Sequence, residues 1–232
     1  MTVPEAVLLD VGGVFFVPEH DRITGALGRA GFTTTADLDR AHYEGAARFP
    51  IADELDWPSS WRMYLEGYVT ACEVPDDLRE DVHQHLDSEF ADAALWLREL
   101  PGARAGLREL AATGVRLGVI SNADGLIAQR LAEFEILQVG PGPGIAVECV
   151  IDSGNVGVMK PDPRIFHIAL DAMDLDAGNA WYVGDMPGID VVGARQAGLS
   201  PVLMDPFGLH RDADYDRVSS LSELATRLAP VS

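Results

Sequence analysis

Five side chains in the sequence have the chemical types that metal-assisted group transfer requires. Three are carboxylates, one is a hydroxyl and one is an ammonium: Asp10, Asp185, Asp190, Ser121 and Lys160. Hard cations such as Mg²⁺ prefer oxygen ligands, which two carboxylates and a backbone carbonyl supply. A carboxylate can also attack phosphorus and form an acyl phosphate, while an ammonium and a hydroxyl hold the phosphoryl oxygens. The pattern indicates phosphoryl transfer, provided that the fold brings these side chains together.

Asp10, Ser121 and Asp185 each follow a short apolar run that has the composition of a buried strand. We predict strands over residues 6–9, 115–120, 147–151, 180–183 and 201–204. Unbroken apolar runs are typical of a parallel sheet that is covered on both faces. Ligands of such a sheet bind beyond the carboxyl ends of its strands. We therefore expect the chemical side chains to meet at one edge of the sheet.

Helical patterns separate the later strands. They cover residues 103–113, 125–134 and 188–197, and a further helix starts after Lys160, with Asp162 as its N-cap and Pro163 in its first turn. The last pattern stops at Gly198. Alternating strands and helices predict an α/β fold with a doubly wound parallel sheet, similar to a Rossmann core.

Residues 17–92 interrupt this alternation. Their apolar positions fall at helical spacing and include no convincing strand. We therefore predict an inserted cap of three or four helices over residues 17–92, and an α/β core built from residues 1–16 and 93–232.

The composition excludes several classes of protein. The chain has 232 residues and a formal net charge of −20, a field that repels nucleic acid and anionic membranes. Two cysteines, Cys72 and Cys149, form no disulfide framework or metal motif. No apolar run is long enough to span a bilayer and none has the form of a signal peptide. We expect a cytoplasmic protein that acts on a small molecule, and the sequence does not indicate its oligomeric state.

Four short motifs occur in an order that resembles the haloacid dehalogenase-like hydrolases. They are LDVGGV at residues 9–14, ISN at 120–122, KPDPRIF at 160–166 and VGD at 183–185, the last followed by Asp190. The order and spacing agree over nearly the whole chain, and the helical insertion falls where this family has its small cap. The resemblance implies a Mg²⁺-dependent hydrolase.

The resemblance also implies roles for individual residues. Asp10 would be the nucleophile, Ser121 and Asn122 would bind the transferring group, and Lys160 would position and neutralise both nucleophile and substrate. The metal would be held by a set that the family places at this edge: Asp10, the carbonyl of Gly12, Asp185 and, as a further ligand or an anchor behind the ligands, Asp190.

One position departs from the family pattern. Phosphatases of this family usually carry a second aspartate two residues after the nucleophile as general acid and base, and here that position is Gly12. Loss of such a group typically costs about 10²–10⁴-fold in rate. We consider His20 as a substitute and as a substrate contact, because it closely follows the first motif and histidine transfers protons near neutral pH. A solvent-exposed or helix-capping histidine is the alternative.

Three functions remain open. The first is a Mg²⁺-dependent phosphatase of a small phosphorylated metabolite that works through an aspartyl-phosphate on Asp10. The second is hydrolysis of a carbon–halogen bond on the same nucleophile. The third is a phosphate-binding or scaffold protein that has lost turnover. Phosphonate cleavage through a cap lysine is excluded, because Lys160 is the only lysine of the chain.

Overall fold

The structure is a computed structural model that describes residues 3–52 and 55–229. In this part of the chain the strands are β1 (Ala6–Leu9), β2 (Phe16–Val17), β3 (Arg98–Glu99), β4 (Arg116–Ser121), β5 (Leu137–Val139), β6 (Ile145–Val147), β7 (Val150–Asp152), β8 (Ala180–Gly184), β9 (Ser200–Met204) and β10 (Asp216–Val218). The α-helices are α1 (His20–Arg29), α2 (Leu38–Arg48), α3 (Trp57–Ala71), α4 (Arg79–Phe90), α5 (Ala103–Ala112), α6 (Ile127–Glu133), α7 (Ser153–Val156), α8 (Pro163–Ala172), α9 (Val192–Gln196) and α10 (Leu221–Leu228).

A parallel sheet of six strands forms the centre of the fold, in the order β10-β9-β8-β1-β4-β7. Side chains of β1 alternate between two apolar clusters, with Val7 and Leu9 in one and Ala6 and Leu8 in the other. The strand is therefore covered on both faces, as its unbroken apolar sequence requires. The predicted fold class, an α/β fold with a parallel sheet and flanking helices, is confirmed.

The predicted strand over residues 147–151 is wrong in its extent. Val147 ends β6, which pairs with β5 in a separate two-stranded sheet, while β7 begins at Val150 and pairs with β4. Residues 148 and 149 lie between the two strands. An apolar run shows that a segment is buried, but it does not show which neighbour each residue pairs with, so two short strands were indistinguishable from one.

The predicted helix over residues 188–197 is also only partly right. A π-helical turn covers Pro187–Val191 and α9 follows it, ending just before Gly198, whose φ is +84°. Helix α8 does begin as predicted, because the Asp162 carboxylate accepts a hydrogen bond from the Arg164 amide and Pro163 occupies the first turn.

Four helices, α1–α4, lie between β2 and β3, which pair antiparallel with each other. We call α1–α4 the helical layer. It has its own apolar cluster, and Met186 and Ile189 from the loop after β8 pack into that cluster. The helical layer therefore sits against the loop that follows β8, while the limits of a cap domain at residues 17 and 92 stay a prediction. Within the described ranges, no helix combines the length and the apolar character needed to cross a membrane.

Candidate active site

The carboxyl ends of three adjacent strands bring the predicted side chains together. Strand β1 lies between β4 and β8, so Asp10 after β1 lies between Ser121 at the end of β4 and Asp185 after β8. All three residues are buried and line one cavity of about 380 Å³, together with Lys160 and Asp190. The sheet order thus assembles groups that are up to 180 residues apart in sequence, as expected from the motifs.

Lys160 lies at the centre of this cluster and contacts three of its polar side chains. Its ammonium Nζ lies 2.7 Å from Asp10 Oδ2 and 2.8 Å from Asp190 Oδ1, and it donates a hydrogen bond of 2.7 Å to Tyr182 Oη. The Tyr182 hydroxyl in turn donates to the Ile120 carbonyl oxygen at 3.2 Å. The three donor directions of the ammonium are therefore taken by two carboxylates and a phenol, which fixes Lys160 beside the Asp10 carboxylate.

Asn122 holds the backbone of Lys160. The Lys160 amide donates to Asn122 Oδ1 at 2.7 Å, and Asn122 Nδ2 donates to the Lys160 carbonyl oxygen at 3.0 Å. Asn122 also lines the cavity. We expected this side chain to bind substrate, whereas both of its polar atoms are engaged in placing the lysine.

Two glycines let the carboxylates approach the backbone closely. Gly13 has a φ of +63°, and a Cβ on it would overlap the Asp185 carboxyl group. A Cβ on Gly184 would overlap the carboxyl group of Asp190. The Asp190 carboxylate also accepts a hydrogen bond of 2.9 Å from the Met186 amide, which fixes the π-helical turn against the end of β8.

Burial dominates the electrostatics of the cluster. It raises the pKa of Asp10 to about 7; the Lys160 ammonium opposes this rise, and the carboxylates of Asp190 and Asp185 add to it. Burial likewise raises the pKa of Asp190. Burial acts to lower the pKa of Lys160, but the ion pairs with Asp10 and Asp190 outweigh it, so that its pKa is raised. The lysine is thus held in its charged form.

The carboxylates fit a divalent cation. One oxygen from each of Asp10, Asp185 and Asp190 lies within 4.8 Å of the others, and all three side chains are buried. The Lys160 ammonium pairs with Asp10 and Asp190, and among the described residues no salt bridge joins Asp185 to a lysine or an arginine. A hard divalent cation with oxygen ligands satisfies this donor set. Gly12 also lines the cavity, and its carbonyl as a metal ligand stays a prediction.

The structure does not bring His20 to the cluster. His20 is the first residue of α1, its Nε2 lies 2.8 Å from Asp39 Oδ1, and about a third of its side chain is exposed. It does not line the cavity that holds Asp10. The alternative of a helix-capping histidine does not describe it either, because Glu19 is the N-cap residue of α1 and His20 pairs with Asp39 while partly exposed.

Sequence reasoning missed the residues that the helical layer and the segment between α4 and β3 contribute. His42 on α2 places Nε2 3.0 Å from Asp185 Oδ2, and its Nδ1 lies 2.9 Å from Tyr64 Oη. Trp61 and Trp96 line the same cavity. A helical pattern shows which face of a helix is buried, but it does not show which other element covers that face, so the sequence held no signal for these contacts.

A family model described as haloacid dehalogenase-like hydrolase matches residues 4–198. A phosphoglycolate phosphatase of Rhodospirillum rubrum is 37% identical over 229 residues, which cover 96% of this chain and 86% of that protein. A phosphoserine phosphatase of Thermus thermophilus is 39% identical over 149 residues, which cover 64% of this chain and 55% of that protein.

Solved structures with similar folds include enzymes of two kinds. An HAD phosphatase from Thermococcus onnurineus has a TM-score of 0.54 at 19% identity, covering 96% of this chain and 97% of that chain. A 2-haloacid dehalogenase from Pseudomonas syringae has a TM-score of 0.54 at 22% identity, covering 96% of each chain. At these identities the similarity shows the fold alone, and the fold is common to both kinds of enzyme.

Proposed function

The chain belongs to the haloacid dehalogenase-like hydrolases, and from that premise we propose that it hydrolyses phosphate monoesters of small molecules through Asp10, with Mg²⁺ as cofactor. The observation that carries this proposal is the position of Asp10. Its carboxylate lies at the floor of a cavity, 2.7 Å from the Lys160 ammonium and beside two further carboxylates suited to a metal. The similarity to the phosphoglycolate and phosphoserine phosphatases supports the choice of phosphate monoesters over other substrates.

In the first step an oxygen of the Asp10 carboxylate attacks phosphorus. The new O–P bond forms as the ester P–O bond breaks, and the departing oxygen takes the bonding electron pair and then a proton from water. The Lys160 ammonium and the Ser121 hydroxyl stabilise the charge on the phosphoryl oxygens. Bound Mg²⁺, held by Asp10, Asp185 and the Gly12 carbonyl, would supply further positive charge at the same oxygens.

In the second step water attacks the phosphorus of the aspartyl-phosphate. The O–P bond to Asp10 breaks, inorganic phosphate leaves and the carboxylate is restored. Tyr182 and Asp190 keep the Lys160 ammonium in place through both steps, because their oxygens lie 2.7 and 2.8 Å from its Nζ.

A second candidate function is supported by Gly12, which lacks the carboxylate that usually protonates the leaving group. Without that group the protein would bind phosphate esters in the cavity and release no phosphate. Hydrolysis of a carbon–halogen bond is the third outcome, since a dehalogenase shares the fold.

The test is phosphate release from a panel of phosphomonoesters, with Mg²⁺ and with excess EDTA, by the wild type and by Asp10→Asn. We expect release that EDTA and Asp10→Asn each abolish, and an acid-stable phosphoryl group on the peptide that contains Asp10 after rapid quenching. Binding of phosphate esters without release would support the binding protein. Release of halide from haloacids would support the dehalogenase. Either result would overturn the proposal.

A further inference from the structure

One side of the cavity is built from large aromatic rings. Trp57 and Trp61 on α3, Phe90 at the end of α4 and Trp96 before β3 all line it, and we call these four residues the aromatic wall. The ring centroids of Trp61 and Phe90 are 5.7 Å apart, and those of Phe90 and Trp96 are 5.8 Å apart. Trp61, Phe90 and Trp96 therefore form a connected series of rings, and all three tryptophans are only half-buried, so part of their surface stays accessible to a ligand.

The aromatic wall reaches the nucleophile loop. A Cβ placed on Gly12 would lie 3.8 Å from Trp96 Cε3, an ordinary van der Waals contact. Gly12 is two residues after Asp10, and both line the cavity. Trp96 therefore stands beside the position from which the usual general acid would act. A leaving group on this side of the cavity would lie beside the indole ring of Trp96.

The cations of the cavity are already paired. Among the described residues that line it, Lys160 and Arg130 carry fixed positive charge. Lys160 is bound by Asp10 and Asp190, and the Arg130 guanidinium donates two hydrogen bonds to Asp124, of 2.7 and 2.8 Å. A second negative group on the substrate, such as the carboxylate of phosphoglycolate, would meet apolar rings and further carboxylates, and carboxylates already bind both of these cations.

The missing general acid favours the same kind of leaving group. A phenol has a pKa of about 10, against about 15.7 for water, so a phenolate departs from phosphorus with little need of a donated proton. The absence of a general acid at Gly12 therefore lowers the hydrolysis rate least for aryl esters. Two independent observations, the paired cations beside the aromatic wall and the absent carboxylate, thus point to one class.

Resting on the proposed function, we infer that the substrates are phosphate monoesters of uncharged aromatic hydroxyl compounds. The ester P–O bond breaks as the bond to Asp10 forms, the electron pair leaves with the aryl oxygen, and the phenolate takes its proton from water. The aromatic wall stacks against the aryl ring and holds it while phosphorus is transferred.

Turnover of three esters tests the class. Phenyl phosphate combines an aromatic ring with a good leaving group, benzyl phosphate combines the ring with a poor one, and phosphoglycolate carries a second charge. With Mg²⁺ we expect kcat/KM to be highest for phenyl phosphate and to be about tenfold or more higher for benzyl phosphate than for phosphoglycolate. Gly12→Asp should raise kcat for benzyl phosphate more than for phenyl phosphate. If phosphoglycolate were hydrolysed as fast as benzyl phosphate or faster, the inference would be overturned and the phosphatase proposal would still stand.

Binding of phosphonates gives a readout that does not depend on turnover. Calorimetry with Mg²⁺ should show that phenylphosphonate binds about tenfold or more tightly than methylphosphonate. Trp96→Leu should remove this preference, whereas Met63→Ala, at an exposed position on α3, should keep it. Trp61→Leu provides the same test if Trp96→Leu does not fold. No preference in the wild type overturns the inference. A preference without hydrolysis of any ester supports an aromatic ligand and overturns the proposed phosphatase.

Discussion

His42 Nε2, on helix α2, lies 3.0 Å from Asp185 Oδ2, at the end of the central sheet. Both side chains are almost fully buried, and neither of these two atoms has a well-aligned hydrogen-bond partner among the described residues. The helical layer and the carboxylate cluster therefore meet through an electrostatic contact between two groups shielded from water. The contact leaves the Asp185 oxygen able to accept a better partner, and a cation is such a partner.

We predict that His42→Leu destabilises the metal-free protein by about 1–3 kcal/mol, because it strips a partner from two buried polar atoms, Asp185 Oδ2 and Tyr64 Oη. Added Mg²⁺ should reduce the difference from wild type, since the cation gives Asp185 a partner. Urea unfolding with and without Mg²⁺ measures both values. His85→Leu, at a half-buried position on α4, is the control. If His42→Leu lowered the free energy of unfolding equally with and without Mg²⁺, only the contact of His42 with Tyr64 would contribute to stability.

Asp185→Asn should weaken Mg²⁺ binding at least about 100-fold, because a neutral amide replaces one of the carboxylates that face the site. Calorimetry on the metal-free protein measures the affinity. Asp124→Asn is a matched control, since Asp124 lines the same cavity but pairs with Arg130 rather than with the carboxylate cluster. Unchanged affinity in Asp185→Asn would remove this residue from the metal site.

The sequence predicted the sheet-edge residues of the site because their positions follow from local patterns. A fully buried apolar run such as β1 must be an interior strand, and whatever follows it must lie at the carboxyl edge. Asp10, Ser121 and Asp185 could therefore be placed before any contact was known. Lys160 could be picked out by its chemistry, as the only lysine in an arginine-rich chain.

The residues contributed by the helical layer could not be predicted in the same way. The contact of His42 with Asp185 and the proximity of Trp96 to Gly12 depend on how the helical layer and the segment between α4 and β3 pack onto the sheet edge. That packing is set by contacts far apart in sequence. The expectation for His20 failed for this reason. Closeness in sequence to the first motif did not bring it to the cavity, since α1 directs it towards Asp39.

Lys160→Arg should lower kcat/KM by about 100-fold or more while the protein stays folded. The Lys160 ammonium meets Asp10, Asp190 and Tyr182 within 2.8 Å in a fully buried site, and a planar guanidinium cannot make these three contacts from one atom. A displacement of about 1 Å at a reacting group is enough for such a loss. Arg164→Lys, at an exposed position, should leave turnover unchanged. Turnover of Lys160→Arg near that of wild type would show that the lysine acts only as a charge.

Asp10→Asn should stabilise the metal-free protein above pH 7. Burial raises the pKa of Asp10 from 3.8 to about 7, so between these values the folded state binds a proton that the unfolded state has lost. The free energy of unfolding of the wild type therefore decreases as pH rises through this window, by up to about 4 kcal/mol, and the asparagine variant does not show that decrease.

Asp124 is the control, with the opposite effect of ionisation on stability. Its hydrogen bonds to Arg130 lower its pKa, so that Asp124→Asn should lose stability at neutral pH. Urea unfolding in EDTA at pH 5 and pH 8 compares the three proteins. Saturating Mg²⁺ should restore the advantage of the wild type, since it binds the folded state with Asp10 ionised. If the gap between Asp10→Asn and wild type does not widen from pH 5 to pH 8, the buried carboxylate does not take up a proton in this window.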